Sequence, residues 1–289
     1  MSRMKAQINR LGELIEGADA IVIGAGAGLS TAAGHDYAGE RFRSTFADFE
    51  EKYGFHDCYS GGFHPYETLE EFWAFWSRNI MLNRYSGATD MYKQFHDLLA
   101  DRNFFVITTN VDHQFQLAGF PKDRLYYTQG DYGLLQCSKP CCQKTYDNED
   151  LMRQMVALQR DMRVPSQLVP HCPRCGAPMT TNLRCDGTFV QDEGWYAAAA
   201  RYRQFLESCK GKRTLFLELG VGFNTPGIIK YPFMQMTYQN PHATYAVVNK
   251  GEAIAPREIS SCTLLIDADI AQVVSLLPRE DERRTPSKR

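Results

Sequence analysis

Five short apolar runs constrain this chain more than any other feature: "AIVIG" (20–24), "FFVITTN" (104–110), "TLFLELG" (214–220), "TYAVVN" (244–249) and "TLLID" (263–267). Each is about strand length and each ends in Gly, Asn or Asp. Unbroken apolar runs of this kind read as strands buried on both faces, and the segments between them have room for crossover helices. The pattern predicts an α/β fold, a doubly wound parallel sheet with ligands gathered at the carboxyl ends of the strands. The first run continues as "IVIGAGAGLSTAAG" (21–34). This is a strand, a turn with three glycines and then a helix, as expected where backbone comes close to a phosphate.

Two stretches break the alternation. Residues ~36–100 are aromatic-rich and mostly helical in pattern, and Trp73, Trp76 and Ile80 share one helical face, which points to packing. Residues 132–186 carry six of the nine cysteines and read as a small module inserted into the main fold. The main fold then comprises 1–131 and 187–278. The charged, proline-containing tail 279–289 reads as disordered. At the other end, Ile8, Leu11, Leu14 and Ile15 have helical spacing and acidic neighbours, unlike a signal peptide.

The bulk numbers exclude several function classes. A net charge of −2 gives no electrostatic footprint for nucleic acid or an anionic membrane surface. No apolar run approaches the ~20 residues of a membrane span. A cytoplasmic protein with neither nucleic-acid nor membrane partners is expected, so clustered cysteines suggest metal before disulfides. Cys137 and Cys141 in "CSKPC" and Cys172 and Cys175 in "CPRCG" form two short thiolate hairpins. Together they can surround one zinc in a closed, structural four-thiolate site. Cys142 is an alternative to Cys141, and Cys185 is spare. Cys262, in "CTLLID", reads as a small core residue.

The turn Gly24-Ala-Gly26-Ala-Gly28 is out of register with the dinucleotide fingerprint G-x-G-x-x-G, and no acidic ribose-binding residue follows about twenty positions on. A hydride-transfer dehydrogenase fits poorly. The ordered series "GAGLSTAAG" (26–34), "TTNVD" (108–112), "YTQGD" (127–131), the cysteine pairs, "LRCDGTF" (183–189), "LGVGFNTPG" (219–227) and "VVN" (247–249) instead resembles the sirtuin family over nearly the whole chain. That resemblance implies a Rossmann-like domain carrying a zinc module and a helical insertion, with NAD in the cleft between them. It places Ala27, Gly28 and Ser30 along the NAD phosphates and ribose. Asn110 would lie near the nicotinamide ribose and Asp112 at the carboxamide, with Gly220, Val221, Asn249 and Asp267 at the adenosine end. Without the resemblance, Asn110 and Asp112 read as capping residues after a strand.

The chain departs from the family's deacylases at the step that needs a base. Where they carry His-Gly it has Gln129-Gly130. A general base must titrate near neutrality, and an amide does not. Cleavage of the nicotinamide bond needs positioning and charge stabilisation instead. An acceptor already ionised at neutral pH could then capture the ADP-ribosyl group. "GHDYAGERFR" (34–43) replaces the deacylases' cofactor loop, with Asp36 and Tyr37 as candidate contacts and Arg41 and Arg43 as secondary candidates, and "FVQDE" (189–193) replaces the acyl-tunnel stretch. These departures resemble the macrodomain-linked class M sirtuins. They imply a protein mono-ADP-ribosyltransferase acting on a lipoylated carrier protein similar to glycine-cleavage H, with a macrodomain ADP-ribosyl hydrolase on the same target. Two alternatives remain: a deacylase using His113 or His35 as base, and a non-enzymatic NAD or ADP-ribose binding module.

Overall fold

The computed structural model describes residues 3–278, and the expected disordered tail lies outside them. Along the chain run α1 (Arg3–Gly17), β1 (Ala20–Ala25), α2 (Ala27–Ala32), α3 (Gly39–Tyr53), α4 (Cys58–Gly62), α5 (Leu69–Arg84) and α6 (Asp90–Leu99). There follow β2 (Phe104–Thr108), α7 (Gln114–Leu117), β3 (Leu125–Tyr127), β4 (Gly130–Cys137), β5 (Thr145–Asp147), α8 (Glu149–Leu158) and β6 (Met179–Leu183). The last part is α9 (Glu193–Cys209), β7 (Thr214–Leu219), α10 (Lys230–Gln239), β8 (Thr244–Val248), β9 (Thr263–Ile266) and α11 (Ile270–Leu276).

The five apolar runs form β1, β2, β7, β8 and β9, and the short β3 completes a parallel six-stranded sheet in the order β3-β2-β1-β7-β8-β9. Every residue of β1, β2 and β7 is buried, as expected of strands covered on both sides. Ile21, Ile23, Phe104, Val106 and Leu217 pack with α1, α6 and α11 on one face. Val22, Ile107, Phe216, Tyr245 and Val247 pack on the other face with Phe233 of α10 and the half-buried Tyr202 and Phe205 of α9. Cys262 is half-buried against this second core.

The aromatic stretch and the cysteine stretch, read separately from sequence, share one core. Phe42, Phe46, Phe49, Trp73, Phe75 and Trp76 from α3 and α5 are buried together with Tyr132, Leu135, Met152, Met155 and Met179. The latter come from α8 and from a three-stranded antiparallel sheet, β5-β4-β6. Ring pairs such as Phe46 and Phe75, 4.7 Å between centroids, fill its centre. The insertion and the cysteine-bearing sheet therefore stand beside the large sheet as one body.

Strand order reverses between β1 and β7, where the chain winds outward in both directions, so their carboxyl ends make the switch point. The two turns there touch backbone to backbone. Gly26 N–H donates to Leu219 O and Gly28 N–H to Gly220 O, each at 3.0 Å. Gly220 has φ +62, and a Cβ on it would come within 2.5 Å of the Gly28 carbonyl carbon. A Cβ on Gly28 would stand 2.8 Å from Gly220 Cα. Backbone has no rotamer with which to yield, so Gly28→Ala is expected to cost about 1–3 kcal/mol. That loss should appear as a lower thermal unfolding midpoint; an unchanged midpoint would show that the two turns can separate freely.

Candidate active site

A cavity of about 470 Å³ opens at this switch point, between the large sheet and the second body. One wall is the glycine turn (Gly26, Ala27, Gly28), another the turn after β7 (Gly220, Val221, Gly222), with Asn249 beyond β8. Asn110 after β2 and Gln129 before β4 close it from the middle. The far side is aromatic: Tyr37, Trp76 and Tyr132. Tyr132 OH donates to Tyr37 OH at 3.2 Å.

Of the residues expected at a cofactor, Ala27, Gly28, Tyr37, Asn110, Gln129, Gly220, Val221 and Asn249 line this one cavity. Ser30 and Asp112 are buried and connect to it through Asn110. Asn110 Nδ2 donates to Gly26 O and to Ser30 Oγ, both at 3.0 Å, and Ser30 Oγ donates to Asp112 Oδ2. Tyr92 OH, 3.2 Å from Ser30 Oγ, completes the cluster. Burial pushes the Asp112 carboxyl up from its ordinary range, and the Ser30 hydroxyl opposes the shift. These bonds of Nδ2 fix the Asn110 amide plane.

Asp36 and Asp267 lie elsewhere. Both are exposed, and their carboxylates accept from Ala38 N (3.1 Å) and Gly251 N (2.7 Å), as residues ordering a local turn do. Asn249 reaches the cavity and also donates to Val221 O at 3.2 Å, tying two walls together. Arg41 is held by Asn83 Oδ1 and Leu82 O, and Arg43 is exposed. The Gly28 N–H, expected to face a phosphate, is already bonded to Gly220 O.

Gln129 is held by its neighbour. Gly130 has φ +97, and a Cβ there would overlap Asn182 O, so only glycine lets this loop sit against β6. Gln129 Oε1 is buried and, among the described residues, has no hydrogen-bond donor. Neither candidate histidine lines the cavity. The His113 ring pairs with Asp131, and His35 is buried, with its pKa pushed down to about 4 chiefly by burial. Arg184 and Glu252 line the cavity but were not singled out from sequence. Arg184 lies over Phe189, 4.6 Å from the ring centroid, and also borders a second cavity of about 450 Å³ beside Tyr126 and Trp195. A lone cation in "LRCDGTF" was the only signal for it.

The cysteine pairs meet in space. Sulfurs of Cys137, Cys141, Cys172 and Cys175 all lie within 4.8 Å of one another, with Cys137 and Cys175 at 3.5 Å and Cys141 and Cys172 at 3.6 Å. Zinc bound tetrahedrally to four thiolates spaces them by about 3.8 Å, so the residues fit the metal. Cys142 lies outside the four, its sulfur 3.9 Å from that of Cys141. All four positions would be protein thiolates and none of these cysteines lines the cavity, so the metal would hold the module together rather than take part in chemistry.

No protein-family model matches the chain. It is 39% identical over 283 residues to a protein ADP-ribosyltransferase of Staphylococcus aureus, across 97% of this chain and 90% of that protein. The chain belongs to that enzyme's family. It is also 31% identical over 289 residues to a probable bifunctional ADP-ribose hydrolase/ADP-ribosyltransferase of Fusarium oxysporum, covering 92% of this chain but 46% of that longer protein. Among solved structures, a Sir2 homologue–NAD complex superposes with TM-score 0.63 at 16% identity, covering 93% of this chain and 92% of the other. Sir2Tm bound to a propionylated peptide gives 0.60 at 19% identity, covering 93% and 95%. The ADP-ribosyltransferase family member thus has the sirtuin fold, with the parallel sheet and cysteine cluster expected from sequence.

Purified protein should contain about one zinc per chain. Because metal binding in such modules is folding free energy, Cys172→Ser should lose the metal and partly unfold. Metal-free protein with an unchanged far-ultraviolet spectrum and unfolding midpoint would contradict this role.

Proposed function

We propose that this chain is an NAD-dependent protein mono-ADP-ribosyltransferase of the class M, macrodomain-linked sirtuin group. The observation that carries the reading is the wall at Gln129: an amide stands there, and among the described residues no histidine lines the cavity. The chemistry supplied by bound NAD is an ADP-ribosyl group with nicotinamide as its leaving group. The cavity's two turns fit a dinucleotide, and the buried Gln129 Oε1 and the Asn110 Oδ1 are acceptors suited to ribose hydroxyl donors.

Each residue then has a limited task. Asn110, locked by Gly26 O and Ser30 Oγ, orients a sugar without spending entropy at the reacting centre. Asp112, through Ser30, fixes Asn110 from beneath. Gln129 accepts a hydrogen bond but removes no proton, so the step of deacylation that requires a base lacks its group. Arg184 brings a positive charge to the wall, where it can draw in an ionised acceptor. Gly220, Val221 and Asn249 hold the adenosine end.

The proposed acceptor is a lipoylated carrier protein similar to glycine-cleavage H. The proposed partner is a macrodomain hydrolase on the same target; the name of the Fusarium relative, which joins an ADP-ribose hydrolase to an ADP-ribosyltransferase, supports a hydrolase working beside the transferase. Incubation with labelled NAD, the lipoylated carrier and an acyl-lysine peptide tests the whole reading. Label should enter the carrier and the peptide should keep its acyl group; loss of the acyl group with no labelled carrier would favour a deacylase.

Two variants sharpen the test. Asn110→Ala should lower transfer by roughly 10²-fold or more, the scale of losing one positioned polar group, while NAD binding weakens much less. Equal losses would make Asn110 a binding residue only. Gln129→Ala should lower transfer by about 0.5–1.5 kcal/mol, one hydrogen bond's worth. Transfer to a carboxylate by the unaltered chain should show no limb near pH 6–7. A limb abolished by replacing His35 would identify another base.

A further inference from the structure

His113 is one of the few non-glycine residues with positive φ, at +64 and ψ +13, and it directly follows Asp112 in the loop that carries Asn110. This left-handed region is costly for residues with a Cβ and persists where the surroundings enforce it. The turn is held by Gln114 N donating to Asp112 Oδ1 at 3.1 Å and Leu117 N to His113 O at 3.0 Å, and the His113 ring meets Asp131, a buried carboxylate two residues after Gln129. His113 Nδ1 bonds to Asp131 Oδ2. Asp131 Oδ1 accepts from Arg84 Nε of α5 at 3.1 Å and from Gly133 N at 2.7 Å, which fixes the carboxylate to both the helical insertion and β4. A second link, Tyr132 N to Val111 O at 2.9 Å, runs alongside.

We infer that His113 is a positioning residue, a strap that sets the spacing between Asn110 on one loop and Gln129 on the next. The inference rests on the proposed role of those two residues. The chain from Asn110 to His113 is three residues and from Gln129 to Asp131 two, so the joint acts on both cavity residues through very little flexible backbone. Its location off the cavity wall separates it from a base, and its strained backbone separates it from an ordinary surface histidine.

Two substitutions isolate the strap from the backbone. His113→Gly adopts φ +64 without strain but has nothing to offer Asp131. His113→Asn also tolerates the left-handed region and places an amide donor the same number of bonds from Cα as His Nδ1. With labelled NAD and the lipoylated carrier protein, His113→Gly should lower kcat roughly 10-fold or more, since misplacement by about an ångström costs up to 10²-fold. Its KM for NAD should stay close to that of the unaltered chain, and its thermal midpoint should fall only as far as one lost hydrogen bond requires, since Arg84 and Gly133 still hold Asp131. His113→Asn should recover most of kcat. A wild-type kcat for His113→Gly, a loss confined to KM, or a His113→Asn variant as slow as His113→Gly would overturn the inference. If Asn110→Ala is slow while His113→Gly is not, only the strap fails. If Asn110→Ala transfers at the wild-type rate, or the unaltered chain transfers nothing, the reading of the cavity fails and the strap falls with it.

Discussion

The contact on which this molecule depends is the meeting of two glycine turns at the centre of the sheet. Gly26 and Gly28 lie against Gly220 with no side chain between, and their N–H groups are bonded to Leu219 O and Gly220 O. Side chains here would drive β1 and β7 apart at the point where the winding reverses and the cavity opens. The glycines therefore serve packing first. Close approach of the turns shapes the mouth of the cavity, and whatever binds meets a surface already fixed by backbone hydrogen bonds.

From that joint the second body gains its position. The insertion between β1 and β2 and the segment between β3 and α9 leave the large sheet at different places, yet bury their aromatic and methionine residues in one core. Trp76 and Tyr132 belong to that core and also line the cavity. The wall facing the glycine turns is thus the edge of a packed interior. The four-cysteine cluster, which could hold zinc, meets the outer end of β4 at Cys137, and Asp131 ties its inner end to Arg84 and His113. Gln129 sits just before that strand, held between two anchored stretches.

Legibility in the sequence followed burial. Strands covered on both faces are written as unbroken apolar runs, and β1, β2, β7, β8 and β9 were readable for that reason. The short β3, β5 and β6 have no such run; in β3 (Leu125–Tyr127) just the first residue is buried, and in β5 none is. The cysteine pairs were legible because a tetrahedral site demands short spacings. Cavity walls were legible only where an ordered motif stood for them. Asn110, Gln129 and Asn249 came from such motifs, but so did Asp36 and Asp267, whose carboxylates instead order local turns. Trp76, Tyr132 and Arg184 were missed as wall residues because tertiary packing brings them there, and nothing in their own neighbourhoods marks it. The shared core of the two insertions was hidden for the same reason.

The chemistry turns on the difference between holding a hydroxyl and deprotonating it. Gln129 is pinned by Gly130 against Asn182, and its Oε1 has no hydrogen-bond donor among the described residues. A buried acceptor left without a donor costs about 1–3 kcal/mol, and a ligand hydroxyl placed there would remove that cost. An imidazole at the same position would offer an acceptor too, but one that changes charge near neutrality and carries a proton away from the sugar. The amide retains the first property without the second. Under the proposed function the site would hold a ribose hydroxyl without taking its proton. Under that function the acceptor would have to arrive already ionised, and Arg184 at the wall has the charge to meet it.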